Sequence, residues 1–144
     1  MNDEFDLQRF VDAQHDVYAS VVRELGSGRK RTHWMWFIFP QIAGLGHSEM
    51  ARRYAIASRA EARAYDAHPI LGARLRECTQ LVLNVSGSDI SEILGHPDDM
   101  KFRSCMTLFC AVTSDNALFK QAIDQYFAGQ PDGRTLEILN ALDA

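Results

Sequence analysis

The chain has 144 residues and a formal charge of −4, the length of one ordinary domain, able to bury a core without disulfide or metal staples. At 47% hydrophobic and 24% charged residues it is too apolar for a disordered chain. Its acidity argues against a general nucleic-acid binder, whose affinity rests on a strongly basic face.

The longest apolar run, Trp34 to Phe39, falls far short of the roughly 20 residues of a membrane-spanning helix, so no membrane partner is expected. The start, Met1-Asn2-Asp3-Glu4, has neither the basic opening nor the apolar stretch of a signal peptide. Cys78, Cys105 and Cys110 are odd in number and fall in apolar periodic segments, which points to reduced core thiols and a cytoplasmic protein.

In chain order the periodicity predicts an all-α fold. A single helical domain over residues 1–144 is expected, a compact bundle of about six to eight helices. Leu7, Phe10, Val11, Gln14, Tyr18, Val21, Val22 and Leu25 share one helical face, capped by Asp3 or Asp6 and closed by Gly26. The run Trp34–Phe39 is the one stretch that could be extended, since six residues of periodicity do not separate strand from helix. Ser48 and Ser58 then each open a short helix. His68-Pro69 opens another, with Leu71, Leu75, Cys78 and Val82 facing inward. Asp89-x-x-Glu92 starts a short helix closed by Gly95, and Pro97 sets up a long one through Thr113. Asp115 and Asp132 are expected to cap the last two.

Residues 29–76 carry nine cations against three carboxylates, a charge of +6, while the rest of the chain carries −10. Within that basic middle, Lys30 and Arg31 precede His33, Trp34, Trp36, Pro40 and Gln41. Such a run can wall a pocket. Trp34 or Trp36 would stack on a planar ligand, Lys30 or Arg31 would hold its anion through charge and cation–π contacts, and Gln41 would read a polar edge. The bland alternative is a core element with a solvated basic turn before it, and for His33 a structural hydrogen bond. A second candidate lies at 98–107. Asp98 and Asp99 favour a helix start through the macrodipole, while Lys101, Ser104 and Thr107 share one side at spacings of three and could bind a phosphate or sugar. On the catalytic reading Asp98 or Asp99 would serve as general base, with His33 as a further candidate. The five histidines are scattered singly, so no metal site is expected, and no motif calls for a cofactor.

The opening Phe5-Asp6-Leu7-Gln8-Arg9-Phe10 and the run Arg31-Thr32-His33-Trp34-Met35-Trp36-Phe37-Ile38-Phe39-Pro40-Gln41, followed by Gly44-Leu45-Gly46, resemble the bacterial domain-of-unknown-function 1810 family. The resemblance extends through His68-Pro69, Asp99, Lys101 and Met106-Thr107-Leu108-Phe109 to Thr135-Leu136. It implies no activity. Lys101-Phe102 and the Trp-rich run also resemble, over a few residues, small helical proteins that hydrolyse N-glycosidic bonds of ADP-ribose-like or riboflavin-pathway compounds.

Two functions of different class follow as expectations. The first is binding or processing of an anionic nucleotide- or sugar-phosphate-like molecule, with N-glycosidic hydrolysis as the reaction the second resemblance suggests. It requires residues near 31–41 to meet those near 98–107 in one concavity. The other is a protein-interaction or regulatory module without catalysis, which requires an exposed apolar patch.

Overall fold

The computed structural model describes residues 3–143, and among them the backbone forms ten helices and no strand. They are α1 Gln8–His15, α2 Tyr18–Gly26, α3 Met35–Ile38, α4 Glu49–Arg53, α5 Arg59–Ala67, α6 Leu71–Asn84, α7 Ile90–Leu94, α8 Asp98–Val112, α9 Ala117–Phe127 and α10 Gly133–Leu142. The all-α expectation holds, with more helices than the six to eight that periodicity suggests.

One of the additional helices comes from the amino-terminal stripe, which is broken. Asp3 caps its start, its carboxylate accepting from the Leu7 and Gln8 amides. The chain then turns between His15 and Tyr18, so that α1 packs on α3 and α2 packs on α6. A shared helical face does not record that change of axis, because both halves keep their apolar residues in phase.

Trp34–Phe39, open between strand and helix in the sequence, forms one turn of helix. An extended segment would need a partner strand for its backbone, and the described residues offer none. A turn satisfies the amides internally, Ile38 bonding to the Trp34 carbonyl and Phe39 to that of Met35, before Pro40 ends it. The Phe37 carbonyl accepts from Gln14 Nε2 at 2.7 Å and from the Tyr65 hydroxyl at 3.4 Å, so α3 is tied to both α1 and α5. The only bridge among the described residues joins Ile42 to Ile56.

At the centre lies α8, packed by α5, α7, α9 and α10. Phe102, Cys105, Met106, Leu108 and Phe109 are fully buried around its circumference, which is why its sequence shows only a weak apolar stripe. Aromatic rings knit this core: Phe39 meets Phe102 edge-on at 5.0 Å, and Tyr65 and Phe119 flank Phe109, contacts worth about 0.5–1.5 kcal/mol each beyond burial.

Ser48, Ser58, Asp89 and Asp132 cap α4, α5, α7 and α10 through their side chains. Asp115 does not cap α9. The position falls to Asn116, whose side chain turns away to the Cys110 carbonyl.

Candidate functional site

The site is built by two segments distant in sequence. The loop from Arg29 to His33 leaves α2 and must be pinned before it can place a side chain. Glu24, at the end of α2, does the pinning. One carboxylate oxygen accepts from the Arg31 amide at 2.6 Å, the Thr32 amide at 2.9 Å and the Trp34 indole at 3.1 Å, and the other from the Thr32 hydroxyl at 2.7 Å. Burial pushes the Glu24 carboxyl up, but these donors outweigh it and hold the group at about 2. The Lys30 amide closes the loop onto α7 by bonding to the Ile93 carbonyl at 2.7 Å.

Lys30 is thereby delivered to the start of α8. Its ammonium lies 2.9 Å from Asp98 Oδ2 with the side chain only 7% exposed, and 5.1 Å from the centre of the Trp34 ring. Lysine is rarely buried so deeply without a partner. From the next turn of α8, Lys101 reaches to 3.5 Å from Asp98 Oδ1 and lies 5.4 Å from the centre of the Trp36 ring. Two ammonium groups, each on a tryptophan, therefore share one carboxylate, and one positive charge is left over.

Lys101 also opens onto a groove of about 220 Å³ between the Gln41–Gly46 loop, α8 and the start of α10. Gln41, Lys101, Ser104, Asp132 and Arg134 supply its polar lining, over an apolar floor that includes Leu45 and Met100. Ser104 donates to Asp132 Oδ2 at 3.2 Å, and the same oxygen accepts from the Thr135 amide and hydroxyl. The Thr135 bonds cap α10, and the Ser104 bond fixes its start against α8. Among the described residues the Gln41 amide and Asp132 Oδ1 make no hydrogen bond, while Arg134 has only a 3.3 Å contact to exposed Glu137.

The loop is set by close approach. Gly46 faces Ala51 so tightly that an added Cβ would sit 2.5 Å from the alanine methyl.

Of the residues singled out from sequence, Lys30, Asp98, Lys101, Trp36, Gln41 and Ser104 come together here. The others do not. Trp34 is not available to stack, because its ring is 1% exposed and belongs to the core. Arg31 and His33 are exposed and contribute no side chain to the groove; the loop uses the Arg31 backbone. Asp99 turns away to His96 Nδ1 at 2.9 Å and the Met100 amide. Thr107 is buried, its hydroxyl donating to the Arg103 carbonyl and accepting from the Asp132 amide. Asp98 has both oxygens against lysines, so a role as general base would first require breaking an ion pair.

Asp132, Arg134 and Glu24 were not marked as site residues by the sequence. Asp132 was legible only as a cap.

A larger groove, about 620 Å³, lies beyond Lys30 between the Ser27–Lys30 loop and α7. Its lining is hydroxyl-bearing, with Ser27, Ser88 and Ser91. It lacks an aromatic wall, and the Lys30 ammonium is committed to Asp98. No group of three His, Cys, Asp or Glu side chains suited to a metal ion occurs among the described residues, and no helix there is long and apolar enough to cross a membrane.

Comparison with known proteins agrees with this arrangement at the level of the fold. The conserved hypothetical protein Rv1873 from Mycobacterium tuberculosis, known from a crystal structure, is 54% identical, with a TM-score of 0.95 over 96% of this chain and 99% of that one. No curated protein matches the chain. The family of proteins of unknown function DUF1810 matches residues 4–139, and the chain belongs to that family.

Proposed function

We propose that the groove beside Lys101 binds a small anionic molecule, a phosphate- or carboxylate-bearing compound. The observation that carries this reading is the Lys30–Asp98–Lys101 cluster. Two lysines converge on one carboxylate at 2.9 and 3.5 Å, and Lys101 faces a concavity that also holds Arg134 and the unbonded Gln41 amide. Asp98 and Trp36 preorganise the Lys101 ammonium, so less side-chain entropy is lost when an anion arrives.

Size narrows the ligand. Pockets for drug-sized molecules run about 300–1,000 Å³, and this groove is about 220 Å³. Binding is better supported than hydrolysis, since both candidate carboxylates are engaged. An interaction module draws little support: the large apolar side chains exposed among the described residues are three, Ile70 before α6, Met100 on α8 and Leu142 at the end of α10.

Thermal unfolding against phosphate, sugar phosphates and nucleotides, beside Lys101→Gln and Arg134→Ala, tests the reading. A ligand at a hundred times its Kd stabilises by about 2.7 kcal/mol, which raises the midpoint by roughly 5–10 °C. The shift should vanish in both variants. A shift that survives both places the ligand elsewhere, and no shift across the panel removes the reading.

A further inference from the structure

A site for a bare anion has no use for a carboxylate that is not paired with a cation. The groove beside Lys101 nevertheless contains one. Asp132 Oδ2 is occupied by Ser104 and Thr135, while Oδ1 makes no hydrogen bond among the described residues and belongs to a side chain lining the groove. An ionised carboxylate only accepts, so this oxygen calls for a ligand donor. Gln41 adds an amide with both a donor and an acceptor to offer. The Ser104 hydroxyl has spent its proton on the Met100 carbonyl and Asp132 and presents only lone pairs.

The lining thus asks for an anionic group at Lys101 and Arg134 and for neutral hydroxyl donors at Asp132, Gln41 and Ser104. We infer that the ligand is a phosphorylated polyol or sugar, no larger than a pentose phosphate, bound with its phosphate between Lys101 and Arg134 and its hydroxyls on Asp132 and Gln41. This rests on the anion-binding reading above and deepens it.

Charge separates this class from a zwitterion such as an amino acid. Arg134 contacts Glu137 at 3.3 Å in a pair whose side chains are 63% and 70% exposed, so solvent screens it and an arriving anion can displace it. With that surface pair released, Lys30, Lys101 and Arg134 against Asp98 and Asp132 leave a net positive charge at the cluster and groove. A phosphomonoester, carrying about −1.5 to −2 at neutral pH, meets that charge with its anion while its uncharged hydroxyls serve the carboxylate. A zwitterion brings no net charge and leaves it unmet. Geometry separates the class from a nucleotide. A base needs a flat apolar wall, yet the Trp34 ring is in the core and Lys101 lies over the Trp36 ring.

Isothermal titration calorimetry of the full chain at low ionic strength, with ribose 5-phosphate, glycerol 3-phosphate, inorganic phosphate, AMP, ribose and glycine, tests the assignment. The sugar or polyol phosphate should bind about tenfold or more tighter than inorganic phosphate, the worth of one or two hydrogen bonds. Asp132→Asn keeps the helix cap, since asparagine caps as well as aspartate, and should erase the preference for the sugar phosphate while leaving phosphate binding in place. Gln41→Ala, which touches no cap, should reduce the same preference and serves if the Asp132 variant does not fold.

Inorganic phosphate binding as tightly as the sugar phosphates overturns the inference and leaves anion binding standing. So does AMP or glycine binding more tightly than the sugar phosphates, or a preference that survives both variants. Binding of none of them overturns both.

Discussion

The ammonium of Lys30 lies 2.9 Å from Asp98 Oδ2, with the lysine side chain 7% and the aspartate side chain 18% exposed. This contact joins the loop after α2 to the first residue of α8 and places the basic segment against the groove-bearing helix. Removing one member of a buried pair leaves the other without compensation. Lys30→Met is therefore expected to destabilise the protein by about 2–3 kcal/mol, less than a fully buried pair because Lys101 remains beside Asp98. Replacing both, as Lys30→Met with Asp98→Leu, should recover part of the loss. Urea unfolding of the single and double variants measures both; equal stability of Lys30→Met and the parent would show that the pair contributes nothing.

Acid should reveal Glu24. Its folded value of about 2 lies below the ordinary 4.5, so its hydrogen bonds stabilise the fold fully above pH 4.5 and lose that contribution as pH falls toward 2. Glu24→Gln cannot titrate. The stability gap between parent and variant should be widest near neutral pH and shrink through that window, read from urea midpoints at each pH. A gap that is constant with pH would contradict the assignment.

The two tryptophans should separate cleanly by substitution. Trp34→Ala empties a core position and gives up the Glu24 hydrogen bond, at a cost of about 3–5 kcal/mol. Trp36 is half-buried, and Trp36→Ala should cost well under half of that while loosening Lys101. Parallel thermal unfolding decides it, and equal losses would mean that both rings are core.

Among the glycines, Gly72 has the least room for a side chain. A Cβ there would stand 1.9 Å from the Asp66 carbonyl oxygen where α6 leaves α5. That atom is backbone and cannot swing aside, so Gly72→Ala should cost at least the roughly 1–3 kcal/mol of ordinary overpacking. Gly26→Ala, with open space at its Cβ, is the matched control and should be neutral or mildly stabilising.

Thiol reactivity should follow burial. Burial pushes Cys105 well up and Cys78 up to about 12, while half-exposed Cys110 is raised less. In the native protein Cys110 should react first with a thiolate-dependent reagent and the other two only on unfolding. Mass spectrometry of a timed labelling series gives the order directly.

Local signals were legible in the sequence where the physics is local. Ser48, Ser58, Asp89 and Asp132 could be placed as caps because a cap is decided within four residues. The all-α class followed from repeated apolar spacing. The turn between His15 and Tyr18 escaped because both halves keep one phase, and Trp34–Phe39 stayed open between strand and helix because what decides it is a partner strand, which the described residues do not supply. The same distinction governs the site. Asp98 and Lys101 are one turn apart and their pairing was readable, whereas Lys30 meeting Asp98 depends on a loop held by Glu24. Asp132 and Arg134 reach the groove only because α10 docks on α8 through the bonds of Ser104 and Thr107 to Asp132. No spacing within α10 encodes that contact.

The most direct measurement of the central claim is a titration of isotope-labelled protein with inorganic phosphate, followed by amide and side-chain resonances. The account predicts saturable shifts concentrated at the Gln41 side-chain amide and the backbone amides of Lys101, Ser104 and Arg134, abolished by Lys101→Gln. Shifts centred on Ser27, Ser88 and Ser91, or none that saturate, would contradict it.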